Sequence, residues 1–175
     1  MPTIITHAII PLAAGLALGP GRVSGGVIAA GMALAMVPDA DVVGFSLGIE
    51  YAAPLGHRGA SHALLSAAVV AAILTLFIRP ERWRPAFAFL FFSMASHGLL
   101  DIFTNGGQGV ALLWPFDDSR IFAPVTPIPV SPIGKDFFTI RGLHTLISEM
   151  GWVWLPALLI MLIGRATNAN DRQKR

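Results

Sequence analysis

His97 and Asp101 stand four residues apart in the run FFSMASHGLLDIFTNGG, residues 91–107, with Ser93 four residues before His97. Four residues of α-helix turn about 400°, so the imidazole and the carboxylate share one face, one turn apart. One rigid element would then offer two donors to a cation. A lone pair of this kind is more often an internal hydrogen bond than a metal grip. Other residues shift the balance. HRGASH supplies His57, Arg58 and His62, PDAD supplies Asp39 and Asp41, and His7 lies in the first apolar run. Four histidines besides His97 make metal binding the stronger reading. His144 and Glu149 are five apart, diverge by about 140° around a helix, and rank below the others.

His57 and His62 do not align on one helical face. They meet if His57 lies on a loop and His62 in the first turn of a helix. Arg58 would then point into the same site and hold a phosphate or carboxylate oxygen. The alternative leaves Arg58 at lipid headgroups and His62 as an N-terminal polar residue. Asp39 and Asp41 alone read as water-facing acids at a helix start. Beside the histidines, one becomes a ligand and the other a second ligand or an orienting base. His7 is open between an interfacial residue and a ligand. Cysteine is absent, so thiolate ligation is excluded. A set of imidazoles and carboxylates suits Zn²⁺ in a hydrolytic site, with Mn²⁺ or Fe²⁺ as alternatives. Six or more donors exceed the needs of one tetrahedral ion. One to three ions are expected, two for preference.

These donors sit in a chain made for lipid. Of 175 residues, 54% are hydrophobic and only 13% charged, and the mean hydropathy is +0.68. Soluble domains carry about 25% charged residues. The expected fold is all-α: a polytopic membrane bundle of about five transmembrane helices, at about 3–19, 23–38, 61–78, 85–104 and 143–164. Residues 1–164 would form one embedded domain and 165–175 a polar, frayed cytoplasmic tail. GxxxG spacings at Gly15–Gly19, Gly21–Gly25 and Gly44–Gly48 hint at close helix packing. The Pro-rich loop 105–142 reads as an ordered external cap. Net charge is only +2, with no basic stripe, so no nucleic-acid partner is expected. The first apolar run lacks the basic start of a cleaved leader and reads as a retained span.

Arginine and lysine orient the spans. Arg22, Arg79, Arg82, Arg84, Arg165, Arg172, Lys174 and Arg175 would lie on one side; Arg58, Arg120, Lys135 and Arg141 are spread over two long loops on the other. The N-terminus and both long loops are therefore expected outside and the C-terminus in the cytoplasm. That arrangement, drawn from cations alone, puts all five histidines on the outer side.

The ordered motifs THAIIPLAAG, PDAD, HRGASHALL, SHGLLDIFTNGGQGVALLWPF and PVTPIPVSP resemble the bacterial YdjM-type family of membrane-bound metal-dependent hydrolases, over roughly residues 1–150. That family is thought to be distantly related to the zinc-dependent phospholipase C and P1 nuclease group. The resemblance implies His7, Asp39 or Asp41, His62, His97 and Asp101 as metal ligands, with Asp101 bridging two ions. It places His57 and Arg58 along the site, His57 as a further donor. The phospholipase group also uses a later His and Glu one helical turn apart; His144 and Glu149 are a residue further apart, which speaks against a third ion.

The functional expectation is a multi-pass bacterial inner-membrane hydrolase. It would cleave a phosphoester of a lipid or other amphiphilic substrate by a metal-activated water at the outer headgroup level. Asp39 or Asp41 would handle the proton, and Arg58, with His57 beside it, would meet the oxyanion. The alternative is a non-catalytic, metal-stabilised scaffold or regulator that binds another protein. A metal-ion transporter would need polar residues through the whole membrane, and the inner halves of the spans are apolar.

Overall fold

Leu, Ile, Val and Ala fill the apolar runs almost without interruption, and in lipid such runs satisfy their backbone as helices. The computed structural model describes residues 1–132 and 134–173. The main helices are α1 (Ile4–Leu18), α2 (Gly25–Leu34), the short α3 (Val43–Ser46), α4 (Leu64–Ile78), α5 (Trp83–Asp101), α6 (Ile140–Glu149) and α7 (Leu155–Gln173). A 3₁₀ segment, Val37–Val42, joins α2 to α3, and a π-helical segment, Met150–Trp154, joins α6 to α7. No β-strand occurs among the described residues; Thr104–Ile128 and Val110–Ile121 form isolated bridges. The protein is thus all-helical.

Each of the five expected spans contains a helix, with different ends and lengths. The second run is helical only to Leu34, where the chain tightens into the 3₁₀ turn carrying Asp39. The last extends both ways: it starts at Ile140 and continues through Gln173, so most of the expected frayed tail is helix. Lys174 and Arg175 lie outside the described residues. Gly25–Ser46 and Ile140–Asn170 are long and apolar enough to cross a membrane, whereas Ile4–Leu18 and Leu64–Ile78 are shorter apolar helices.

The core lies between α2, α4 and α5, where Val27 and Leu34 meet Ala67, Ala71, Phe89, Leu90 and Met94. Small side chains set these distances. A Cβ on Gly15 of α1 would fall 2.6 Å from Ile28 of α2, so glycine lets the two helices close. Outward faces are as apolar as the core. Leu76 and Phe77 are 73% and 81% exposed, a surface suited to lipid.

The segment 102–132 forms an ordered cap over one end. Ala123 N–H donates to Ile102 O, Ala111 N–H to Arg58 O, and Leu64 N–H to Leu112 O. Arg120 ties this cap to the loop before α4 by donating to the carbonyls of Tyr51, Ala53 and His57. Beneath the cap, the His62 carbonyl rests on Gly98 of α5, where a Cβ would lie 2.6 Å from that oxygen. Glycine thus lets the turn carrying His62 sit beside His97.

Gly98→Ala is expected to destabilise the protein by about 1–3 kcal/mol through overpacking against backbone. Thermal unfolding in detergent measures this; an unaltered melting temperature would mean that the two backbones do not approach as described.

Candidate metal centre

Four separate elements deliver the charged and imidazole side chains to one place. α1 brings His7, the 3₁₀ turn after α2 brings Asp39 and Asp41, the turn before α4 brings His57, Arg58 and His62, and the end of α5 brings His97 and Asp101. His7, His97 and Asp101 are fully buried, and Asp39, His57, Arg58 and His62 are nearly so.

At the centre, one donor atom each from Asp39, His62, His97 and Asp101 lies within 4.8 Å of the other three. His97 Nε2 is 3.1 Å from His62 Nε2 and 3.3 Å from Asp39 Oδ1. His62 Nε2 is 3.6 Å from Asp101 Oδ2 and 3.9 Å from Asp39 Oδ1. Ligand bonds of about 2.0–2.1 Å around tetrahedral zinc put donor atoms about 3.3–3.4 Å apart, inside this range. The polar accounting points the same way. Among the described residues, neither oxygen of Asp39 or Asp101 has a hydrogen-bond partner, and neither nitrogen of His7 has one. Buried carboxylates in native proteins are paired or coordinate a metal. The donor set therefore fits a divalent metal ion.

His7 is stacked on His97, ring centroids 3.6 Å apart, with its Nε2 3.5 Å from Asp101 Oδ1. Asp101 thus turns one oxygen to His7 and the other to His62. Arg58 Nε lies 3.0 Å from Asp101 Oδ2, although the pair lacks hydrogen-bond alignment. We read it as an ion pair, because both groups are buried and oppositely charged. The rest of the guanidinium also points inward, donating to Gly106 O at 2.8 Å and Thr104 Oγ1 at 2.7 Å.

The two aspartates of PDAD have different surroundings. Asp39 faces the donor cluster, while Asp41 is an acceptor for His57 Nδ1 at 2.6 Å, Ser61 Oγ at 2.6 Å and Arg58 N–H at 3.2 Å. Its Oδ2 also lies 3.3 Å from His62 Nδ1, whose nearer partner is the Ser61 hydroxyl at 2.9 Å, itself bonded to Asp41. Asp41 with His57 and His62 forms a second close group, but its oxygens already have donors. A carboxylate behind one nitrogen of a histidine fixes the tautomer and leaves the other nitrogen free to bind metal. His97 is held likewise: its Nδ1 is 2.7 Å from the Ala35 carbonyl, which turns Nε2 toward the cluster. Arg58 has φ 64°, a left-handed conformation costly for a residue with a side chain. Its amide bond to Asp41 and its carbonyl bond from Ala111 hold it there.

His144 is exposed on α6 and belongs to neither group. Glu149 is fully buried but serves α1 instead. It accepts from Thr3 N–H, Thr3 Oγ1 and Thr6 Oγ1, each at 2.6 Å, next to His7 in sequence. A carboxylate at a helix N-terminus satisfies unpaired amides and complements the helix dipole. Trp154 adds Nε1–H to Thr6 Oγ1 at 2.7 Å. The π-helical segment between them makes this possible, because its i→i+5 repeat brings residues five apart toward one face. Ser93, the first member of the spacing that drew attention to α5, donates to Phe89 O within its own helix.

Sequence reasoning overlooked Ser61, Thr104, the Ala35 carbonyl and Tyr51. Ser61 was findable, being adjacent to His62. A backbone carbonyl leaves no sequence signal. Tyr51 packs edge-on to His57 with centroids 5.2 Å apart, and burial pushes its phenol pKa up.

No solved structure matches the chain significantly. The chain is 46% identical over 167 residues to the Inner membrane protein YbcI of Escherichia coli (strain K12), an alignment covering 92% of this chain and 95% of that protein. A model of the YdjM inner membrane protein family matches residues 1–170, and the chain belongs to that family of inner membrane proteins.

Proposed function

We propose that this protein is a membrane-bound, metal-dependent hydrolase acting on a phosphoester of a lipid or other amphiphilic molecule. The observation that supports it best is the convergence of Asp39, His62, His97 and Asp101, with neither carboxylate hydrogen-bonded in a buried site. Zn²⁺ suits this sulfur-free set, and His7 beside Asp101 Oδ1 offers the beginning of a second position. When bound, such an ion lowers the pKa of a coordinated water toward neutrality and so supplies a nucleophile at physiological pH. The chain's own groups do the rest. Asp41 orients His62, Ala35 orients His97, and Arg58 balances part of the Asp101 charge. Asp41 and His57, on the less enclosed edge beside Tyr51, are the groups best placed to meet a substrate or relay a proton. The same reading makes the family a distant relative of the zinc-dependent phospholipase C and P1 nuclease group. It also gives the protein five spans, an external site and N-terminus, and a cytoplasmic C-terminus.

The burial of the cluster favours a second reading. A site this enclosed also suits a metal that only holds the helices together in a scaffold that binds another protein.

Metal analysis of the purified protein, with hydrolysis of phosphodiester and phosphomonoester reporters before and after chelation, separates the two. The catalytic reading expects chelator-sensitive turnover; bound metal with no turnover of any ester or lipid favours the scaffold. His97→Ala and Asp101→Asn are each expected to lose most of the bound metal, and full retention in both would remove the proposed centre. Asp41→Asn should keep the stoichiometry but weaken metal affinity about 10–100-fold, the usual cost of losing an orienting partner. Titration with a competing chelator reads this, and an unchanged affinity would deny Asp41 the orienting role.

Orientation has its own test, since the chain lacks cysteine. A single cysteine replacing Ser119 should react with an impermeant maleimide from the periplasmic side, and one replacing Glu81 should not. The opposite pattern would invert the topology.

A further inference from the structure

α1 and α7 touch tightly along one edge. Gly164 packs so close to Ala17 that a Cβ there would lie 2.7 Å from the Ala17 Cβ, and Asn168 Nδ2 donates to Ala17 O at 2.6 Å. Beside this contact the helices part. Ile9, Leu12 and Ala13 of α1 face Trp154, Leu158 and Met161 across a groove of about 540 Å³ with almost wholly apolar walls. Leu16 also lines a second cavity of about 660 Å³, bordered by Gly15, Gly19, Gly25, Arg165 and Asn168. From the last residue of the π-helical segment into α7, the lining positions Trp154, Leu158, Met161, Arg165 and Asn168 follow a spacing of three or four, so they form one continuous stripe. That stripe is apolar until it reaches an exposed arginine.

We infer that this groove binds one anionic phospholipid, with an acyl chain along Trp154–Met161 and the phosphate at Arg165. Length and charge identify the occupant. Eleven residues separate Trp154 from Arg165, about 16 Å of helix. One leaflet of a hydrocarbon core about 30 Å thick measures about 15 Å. The cation therefore stands about one acyl leaflet from the tryptophan. No carboxylate lines the cavity that holds Arg165, whereas small residues widen it at headgroup level. The Trp154 indole, fixed by its bond to Thr6, gives the apolar end a rigid wall. On α1 the groove residues lie away from His7, so lipid bound here is separate from the metal centre and this inference is independent of any catalytic activity.

The full-length protein, delipidated in a neutral maltoside, can be titrated with phosphatidylglycerol or phosphatidylcholine and followed by native mass spectrometry at low salt. One exposed cation near a lipid phosphate should favour phosphatidylglycerol about fivefold. Arg165→Gln should bring the two lipids to equal affinity, and Arg165→Lys should restore the preference. Leu158→Trp should weaken both lipids by filling the groove. Inorganic phosphate at the same concentration should not compete. Equal binding of both lipids by the native chain, a preference that survives Arg165→Gln, undiminished binding to Leu158→Trp, competition by free phosphate, or a dimer that covers the groove without lipid would each overturn the assignment.

Discussion

Two carboxylates with nothing to neutralise their hydrogen-bonding capacity, Asp39 and Asp101, set the terms for this protein. Removing a charge from water costs several kcal/mol even after relaxation, and an uncompensated one destabilises strongly. Arg58 offsets part of the cost at Asp101. Asp39 has imidazoles beside it, His97 Nε2 at 3.3 Å and His62 Nε2 at 3.9 Å. A fold that gathers such groups beneath a cap could hold a positive ion among them. Much of the remaining structure keeps those side chains at fixed directions while the helices around them stay compatible with lipid.

That rigidity comes from groups outside the cluster. Asp41 collects donors from His57, Arg58 and Ser61 and thereby fixes the turn that presents His62. Gly98 allows that turn to lie against α5. Glu149, buried with three donors of its own, pins the start of α1 and with it the helix that carries His7. Each of these side chains acts on the centre through backbone placement. Removing any of them would alter where a donor atom points without removing the donor.

The all-helical class and the gathering of His7, His62 and His97 with Asp39 and Asp101 were legible in the sequence. Long apolar runs have few alternatives in lipid, and ionisable residues confined to one end of those runs have few places to go. The finer assignments were not legible. Asp39 and Asp41 are two residues apart, and only the 3₁₀ geometry shows which faces the cluster. Arg58 does point into the site, as its place beside His57 suggested, but the sequence could not show that its left-handed backbone and its bonds to Thr104 and Gly106 would set it against Asp101. His144 shared the sidedness of the other histidines yet lies exposed on α6, because sidedness constrains depth and not azimuth. The length of the last helix was missed because polar residues after Gly164 suggested an unwound tail, whereas most of them are tolerated in helix.

The π-helical turn at Met150–Trp154 joins the helix that carries Glu149 to the helix whose stripe borders the groove. On its upstream side it sets the angle at which Glu149 meets α1, and on its downstream side it sets which stripe of α7 borders the groove. Helical phase is transmitted rigidly along a continuous helix. Winding this turn back to ordinary α geometry would swing Arg165 around the bundle whenever Glu149 kept its grip, or pull Glu149 from the threonines whenever α7 kept its seat. One local over-wide turn therefore makes the azimuth of the membrane-facing stripe and the anchoring of the His7 helix a single mechanical variable.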